Sequence, residues 1–179
     1  MLIRPATPDD QDSLRRLYLA AFPEAERETV AELAVSLLTT TPETLSLVAE
    51  QKGDNGEAGV VGHVALSPVT EAGQPDAVGY LLAPLAVWPD QQKRGVGSRL
   101  VEEGVERLRA EGAPLLLVYG DPNYYGRFGF TADAADRYRP PYPLQYPFGW
   151  QALALRDRPT PETPLDLGCV APLCDPRLW

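Results

Sequence analysis

Leu81 to Phe130 reads LLAPLAVWPDQQKRGVGSRLVEEGVERLRAEGAPLLLVYGDPNYYGRFGF, and its internal order decides the fold. Val78 to Val87 is a mostly apolar run of the kind that forms a strand buried on both faces, and it stops at Trp88-Pro89. From Gly95 the apolar residues Val96, Leu100, Val101, Val105 and Leu108 recur with helical period, while Glu103 and Arg107 can pair on the outer side. Gly112 and Pro114 end that helix, and Leu115 to Tyr119 makes a second short buried strand. Strand, helix and strand in this order predict one right-handed parallel crossover inside an otherwise antiparallel sheet.

The loop between the strand and the helix carries Gln92, Gly95 and Gly97 as Q-x-x-G-x-G. Successive N–H groups of a Gly-containing turn at a helix N-terminus point outward together, with the helix dipole behind them, so this is an anion site. Gly95 and Gly97 allow close approach of a ligand to the backbone, and Gln92, Lys93 and Arg94 add a donor and two cations. A pyrophosphate suits such a cradle. A dinucleotide fingerprint would need a third glycine where Leu100 stands, and a P-loop would need Lys and Ser or Thr after Gly97, which is followed instead by Ser98-Arg99.

Working outward, Leu2-Ile3-Arg4 reads as a first strand, and Thr7-Pro8-Asp9-Asp10 as a helix start leading into Leu14, Leu17, Tyr18, Ala21 and Phe22. A second helix after Pro23 carries Val30, Leu33, Ala34, Leu37 and Leu38 on one face. Thr44 to Gln51 and Gly59 to Pro68 predict an antiparallel hairpin around a Gly53-Asp54-Asn55-Gly56 turn, followed by a loop at Glu71 to Asp76. Past Phe130 the chain turns rich in Pro and aromatics, RYRPPYPLQYPFGW, before a last strand at Gln151 to Leu155.

A chain of 179 residues fits one domain, expected here over 1–156, with 157–179 as a Pro-rich tail in which Leu165, Leu167, Val170 and Leu173 could dock. The net charge of −9 argues against a nucleic-acid partner and suits an amine-bearing substrate. The N-terminal MLIRPATPDD lacks the apolar run of a signal peptide and no segment reaches spanning length, so a cytoplasmic protein without a membrane partner is expected. Cys169 and Cys174, with His63 the sole histidine, are expected to be two reduced thiols, and no metal is expected.

After the second strand come Tyr125, Gly129 and Phe130 as Y-x-x-x-G-F, and the ordered set resembles the GNAT superfamily of acyl-CoA-dependent N-acetyltransferases. The stretch GDPNYYGRFGF resembles one bacterial branch of it. The resemblance implies an α/β (α+β) fold: a mixed, mostly antiparallel sheet of about six to seven strands with one parallel β-α-β crossover, flanked by helices. It implies acetyl-CoA as cosubstrate and direct transfer of the acetyl group to a primary amine of a small molecule or peptide. Leu85, Ala86 and Val87 match the strand that bonds the pantetheine arm, and Gln92, Lys93, Arg94, Gly95, Val96, Gly97 and Ser98 match the pyrophosphate loop. Asn123 and Tyr125 match coenzyme contacts beyond the splay of the fourth and fifth strands. Domains of this kind often dimerise, though no residue here identifies an interface.

Acyl transfer from a thioester needs a neutral amine, stabilised charge on the tetrahedral oxygen and a proton for the departing thiolate. Tyr125 takes the family's general-acid position, and the backbone N–H of Val87 or its neighbour that of the oxyanion donor; the alternative for Tyr125 is packing beneath the coenzyme. Several family members carry a Glu on the fourth strand, but Val78 to Val87 contains no carboxylate. His63 is the candidate base, with Glu50 behind it, and a structural role for His63 is the alternative. Arg137 to Trp150 could wall the acceptor site or be a stiffened surface loop. At the level of the whole protein, the alternatives are a catalytically weak acyl-CoA-binding or regulatory domain and a protein N-terminal or lysine acetyltransferase.

Overall fold

Among the described residues eight strands and five α-helices follow the crossover read from the sequence. The structure, a computed structural model, describes residues 1–40, 43–53, 56–157 and 159–179. The strands are β1 (Leu2–Pro5), β2 (Leu45–Lys52), β3 (Ala58–Glu71), β4 (Ala77–Val87), β5 (Leu115–Tyr119), β6 (Tyr138–Arg139), β7 (Trp150–Ala154) and β8 (Leu165–Cys169). The helices are α1 (Gln11–Ala21), α2 (Arg27–Leu37), α3 (Val96–Glu111), α4 (Pro122–Tyr125) and α5 (Ala132–Ala135). The main sheet runs β1-β2-β3-β4-β5-β7, mostly antiparallel, with β4 and β5 parallel across α3. The count exceeds the expected strands because β6 and β8, inside Pro-rich sequence, pair with each other in parallel. No helix among the described residues is long and apolar enough to cross a membrane.

Contacts divide the chain into two units. The first comprises Met1–Leu66 and Pro84–Gly104. Here β1 pairs β2 from Leu2↔Glu50 to Pro5↔Leu47, and β2 pairs β3 from Leu45↔Leu66, with a bulge between Ala49 and Glu50. The apolar stripes of α1 and α2 meet as expected, burying Leu14, Leu17, Tyr18, Ala31 and Ala34 with Val48 and Ala86. The helix start at Thr7 forms as a short 3-10 turn, Pro8–Asp10, ahead of α1. Its Asp10 carboxylate accepts the Thr7 N–H at 2.8 Å and two bonds from Arg4 at 2.8 Å each. Asp54 and Asn55, the centre of the expected turn, lie outside the described residues; at its rim the Gly53 N–H donates to Glu57 O at 2.9 Å.

The second unit comprises Ser67–Ala83 and Val105–Trp179. Here β5 pairs β7 along its length, from Leu115↔Ala154 to Tyr119↔Trp150. The expected end of β3 at Pro68 is overrun: the strand pairs β2 as far as Leu66 and β8 from Val69 to Glu71. Proline has no N–H to donate, and Pro68 sits at that change of partner. The tail docks through buried Leu167, Val170, Leu173 and Trp179, whose indole N–H donates to Leu173 O at 3.0 Å. Gly112, at φ +84°, ends α3 as the sequence predicts, with the Ala113 N–H reaching back to Leu108 O at 2.9 Å.

Candidate active site

The last turn of β4 begins where pairing with β5 ends. Three registers join those strands, Tyr80↔Leu116 to Leu82↔Val118, and β4 continues to Val87. Pro84 removes a backbone donor just past the last of them. The expectation of a strand buried on both faces holds only for Leu81 and Leu82; from there burial alternates, with Ala86 inside the core and Leu85 and Val87 half-buried on the other face. Trp88 then fixes the strand end: its backbone N–H donates to Val61 O at 3.0 Å and its indole N–H to Val60 O at 2.9 Å. Beside it a shallow depression of about 490 Å³ is lined by Gly59, Val60, Val61, Trp88, Pro89, Asp90 and Gln91.

The loop that follows has the backbone an anion cradle requires. Lys93 lies at φ +60° and Gly95 at φ +84°, two left-handed residues in the three positions before α3 starts at Val96. A non-glycine residue rarely adopts that conformation, and turns of this kind aim successive N–H groups at one point. A Cβ at Gly95 would meet nothing within 4 Å, so the space above the turn is open. The first N–H groups of the helix, at Val96, Gly97 and Ser98, have no intrahelical acceptors. Arg94 and Lys93 are exposed beside them. The Gln92 amide, expected to be a ligand donor, bonds Val87 O at 3.2 Å and closes the loop on the strand end. Gly62 was not singled out in the sequence: its missing Cβ would lie 2.9 Å from Val96 Cγ1 and 3.0 Å from Leu100 Cδ1, so glycine lets the first turn of α3 seat on β3.

In the second unit Asp121 caps α4, accepting the Asn123 N–H at 2.9 Å and its side-chain amide at 3.1 Å. That turn presents Tyr125, whose ring packs edge-on to Tyr124 at 5.0 Å and Phe130 at 5.8 Å. A Cβ at Gly120 would collide with the Tyr125 ring, so this glycine is required where the sequence showed only a turn. Burial and the neighbouring Tyr124 raise the Tyr125 phenol above its ordinary pKa, keeping it protonated at neutral pH. Among the described residues no group hydrogen-bonds its hydroxyl.

His63 stands elsewhere, in the core of the first unit. It is 0% exposed, with Nδ1 2.8 Å from the Tyr18 hydroxyl and Nε2 2.7 Å from Ser46 Oγ. Burial lowers its pKa to about 3. A ring with both nitrogens engaged and so weak a basicity ties α1 to β2 and β3, which favours the structural alternative for His63 over a base. Glu50 is likewise committed, accepting from Arg4 Nε at 3.0 Å and Arg4 Nη2 at 2.6 Å. Among the described residues no group of three or more His, Cys, Asp and Glu could hold a metal.

Known proteins are similar to this chain in sequence and fold. The model of the acetyltransferase (GNAT) family matches residues 11–130. The uncharacterised N-acetyltransferase YjhQ of Escherichia coli K12 is 35% identical over 156 residues, 84% of this chain and 82% of the relative. The crystal structure of the GNAT family N-acetyltransferase YhbS from Escherichia coli in complex with CoA superposes with a TM-score of 0.72 at 33% identity, over 87% of this chain and 81% of that one. A GNAT family acetyltransferase from Brucella melitensis in complex with acetyl-CoA gives 0.65 at 33% identity, over 92% and 93%. The chain belongs to the GNAT family of acetyltransferases.

Proposed function

We propose that the protein is a cytoplasmic acetyl-CoA-dependent N-acetyltransferase that moves the acetyl group directly to a primary amine of a small molecule or peptide. The observation that carries this reading is the left-handed turn at Lys93 and Gly95, opening α3 beneath unfilled space. Its fit to a pyrophosphate is physical: clustered N–H donors, a helix N-terminus and two exposed cations. The CoA and acetyl-CoA bound by relatives at 33% identity point to the same ligand.

In this reading Lys93 to Ser98 hold the pyrophosphate with Gln92 closing the loop behind them, and Leu85, Ala86 and Val87 offer backbone groups to the pantetheine arm, with Val87 N–H as oxyanion donor. Acetyl-CoA supplies an activated acyl group whose leaving thiolate needs a proton. Tyr125 supplies it, as a phenol held protonated by burial and with its hydroxyl uncommitted. Asn123 supports the same end of the coenzyme. His63 keeps the core in register, so the amine arrives already neutral.

The acceptor side is read from residues 137–150. Tyr146 and Phe148 are 53% and 67% exposed with rings 5.9 Å apart, on a turn tied to Gly120 by the Gly120 N–H to Gly149 O bond of 2.9 Å. Gly120 is the residue that the Tyr125 ring covers. An exposed aromatic pair so close to the proposed acid suits an acceptor with a planar or apolar body.

Calorimetry with acetyl-CoA tests the ligand. Gly95→Val adds a β-branched side chain at φ +84° into the space reserved for phosphate. Its expected effect is a rise in Kd of at least about tenfold with the fold intact, from lost phosphate contacts each worth about 1.5–3 kcal/mol. Unchanged affinity would remove the loop from the site. Release of free CoA with a panel of amines and peptides then separates an enzyme from an acyl-CoA-binding regulator, which would bind and not turn over.

A further inference from the structure

The chain has two cysteines, and the fold brings together what the sequence leaves five positions apart. Cys169 is the last residue of β8 and is half-buried; Cys174 follows the 3-10 turn Ala171–Leu173 and is exposed. Their Sγ atoms lie 3.6 Å apart, and Cys174 Sγ is also 3.6 Å from the carbonyl oxygens of Cys169 and Val170. This proximity is built. Cys169 is paired with Val69 on β3, and β8 pairs β6 from its other end. The intervening turn is pinned by buried Val170 and Leu173 and closed by the Cys174 N–H to Ala171 O bond of 3.0 Å.

We propose that Cys169 and Cys174 form a reversible dithiol–disulfide site that a small-molecule disulfide closes. Two sulfurs in contact need to approach by only roughly 1.5 Å to reach the bonded distance, a shift within the reach of side-chain rotation. The exposed Cys174 thiolate attacks one sulfur of the disulfide, forming a mixed disulfide and releasing the first small thiolate. The Cys169 thiol then gives up its proton and attacks the Cys174 sulfur, forming the internal bond and releasing the second thiolate. Overall, two protein thiols are oxidised, one small disulfide is reduced to two thiols, and both protons leave with them.

The order of attack follows from the surroundings. Burial first, and then the Cys174 thiol, push the Cys169 thiol up to about 12, so it is the poorer initial nucleophile. A third ligand that would make this a metal site is missing among the described residues.

The full-length protein is incubated with glutathione disulfide, quenched with acid, alkylated and weighed intact. Closure lowers the mass by about 2 Da, removes both thiols from alkylation and reverses with dithiothreitol. Cys174→Ser shows no such loss. Closure in the folded chain is at least about tenfold faster than in urea, because the fold holds the sulfurs in contact. Equal rates in urea would overturn the claim that the structure builds the pair. A stable mixed disulfide, a covalent dimer, or two free thiols at a poise that oxidises a Cys-x-x-Cys reference peptide would each overturn the site itself.

Discussion

His63 gives the sharpest test of the core of the first unit, because it is the chain's single histidine. Its folded pKa of about 3 lies below the ordinary 6.5 that applies once the chain unfolds. The unfolded state therefore takes up the proton first as pH falls. The stability His63 contributes is complete above about pH 6.5 and is lost progressively toward pH 3. Each unit within that window is worth about 1.4 kcal/mol, so the step from pH 8 to pH 5 removes about 2 kcal/mol. Asp10, held below the usual carboxylate range by Arg4, loses its contribution only at lower pH.

Urea unfolding at pH 8, 7, 6 and 5, followed by tryptophan fluorescence, reads the slope. His63→Gln retains one donor and one acceptor for Tyr18 and Ser46, and its absolute stability drops by about 1–3 kcal/mol from imperfect hydrogen bonds. Its pH dependence across that range should flatten to less than about 0.5 kcal/mol. A wild-type slope no steeper than that of the variant would refute the buried neutral ring. So would a histidine proton resonance titrating near pH 6.5 in the folded protein, which would return His63 to the list of bases.

Two further outcomes follow from the same packing. Tyr125→Phe removes the hydroxyl and leaves the ring against Phe130 and Gly120, so acetyl-CoA affinity should hold within about threefold while turnover falls about 100-fold; undiminished turnover at saturating amine would eliminate the acid. Gly62→Ala places a Cβ 2.9 Å from Val96 and 3.0 Å from Leu100 and should destabilise by about 1–3 kcal/mol in urea unfolding, with no loss reported if the start of α3 can shift freely.

What the sequence made legible is what nearest neighbours along the chain decide. The α3 stripe from Val96 to Leu108 and its stop at Gly112 appear where the period and the glycine place them. The glycine loop ahead of α3 is local in the same sense, while its left-handed backbone at Lys93 and Gly95 shows only in the structure. The parallel β4-α3-β5 crossover was legible because it follows from the order of elements. Illegible were the effects of partners distant in sequence. His63 looks like any strand histidine until Tyr18, 45 positions away, and Ser46 close on both ring nitrogens. Gly62 reads as a weak spot in a strand until α3 lies on it, and Pro68 reads as an end until β8 arrives from the tail. Cys169 and Cys174 are spaced like unrelated thiols until the turn at Ala171–Leu173 folds one onto the other.

The absence of a carboxylate from Val78 to Val87, the commitment of Glu50 to Arg4 and the burial of His63 together constrain the proposed chemistry. In the proposed chemistry, with no strong base on those strands, the reactive amine is the fraction already neutral in solution. The protein's charge of −9 acts on that fraction in two directions. A negative field draws ammonium ions toward the surface and raises their local concentration, but it also stabilises the charged form and lowers the share that can attack. Before the field acts, an aliphatic amine near pKa 10 has about one molecule in a thousand neutral at pH 7 and a peptide α-amine near 8 about one in ten, and the second effect lowers both. An enzyme that attracts amines without deprotonating them therefore favours acceptors of low pKa, and a planar or apolar body resting on Tyr146 and Phe148 would exclude water from the ammonium and shift it further toward the neutral form.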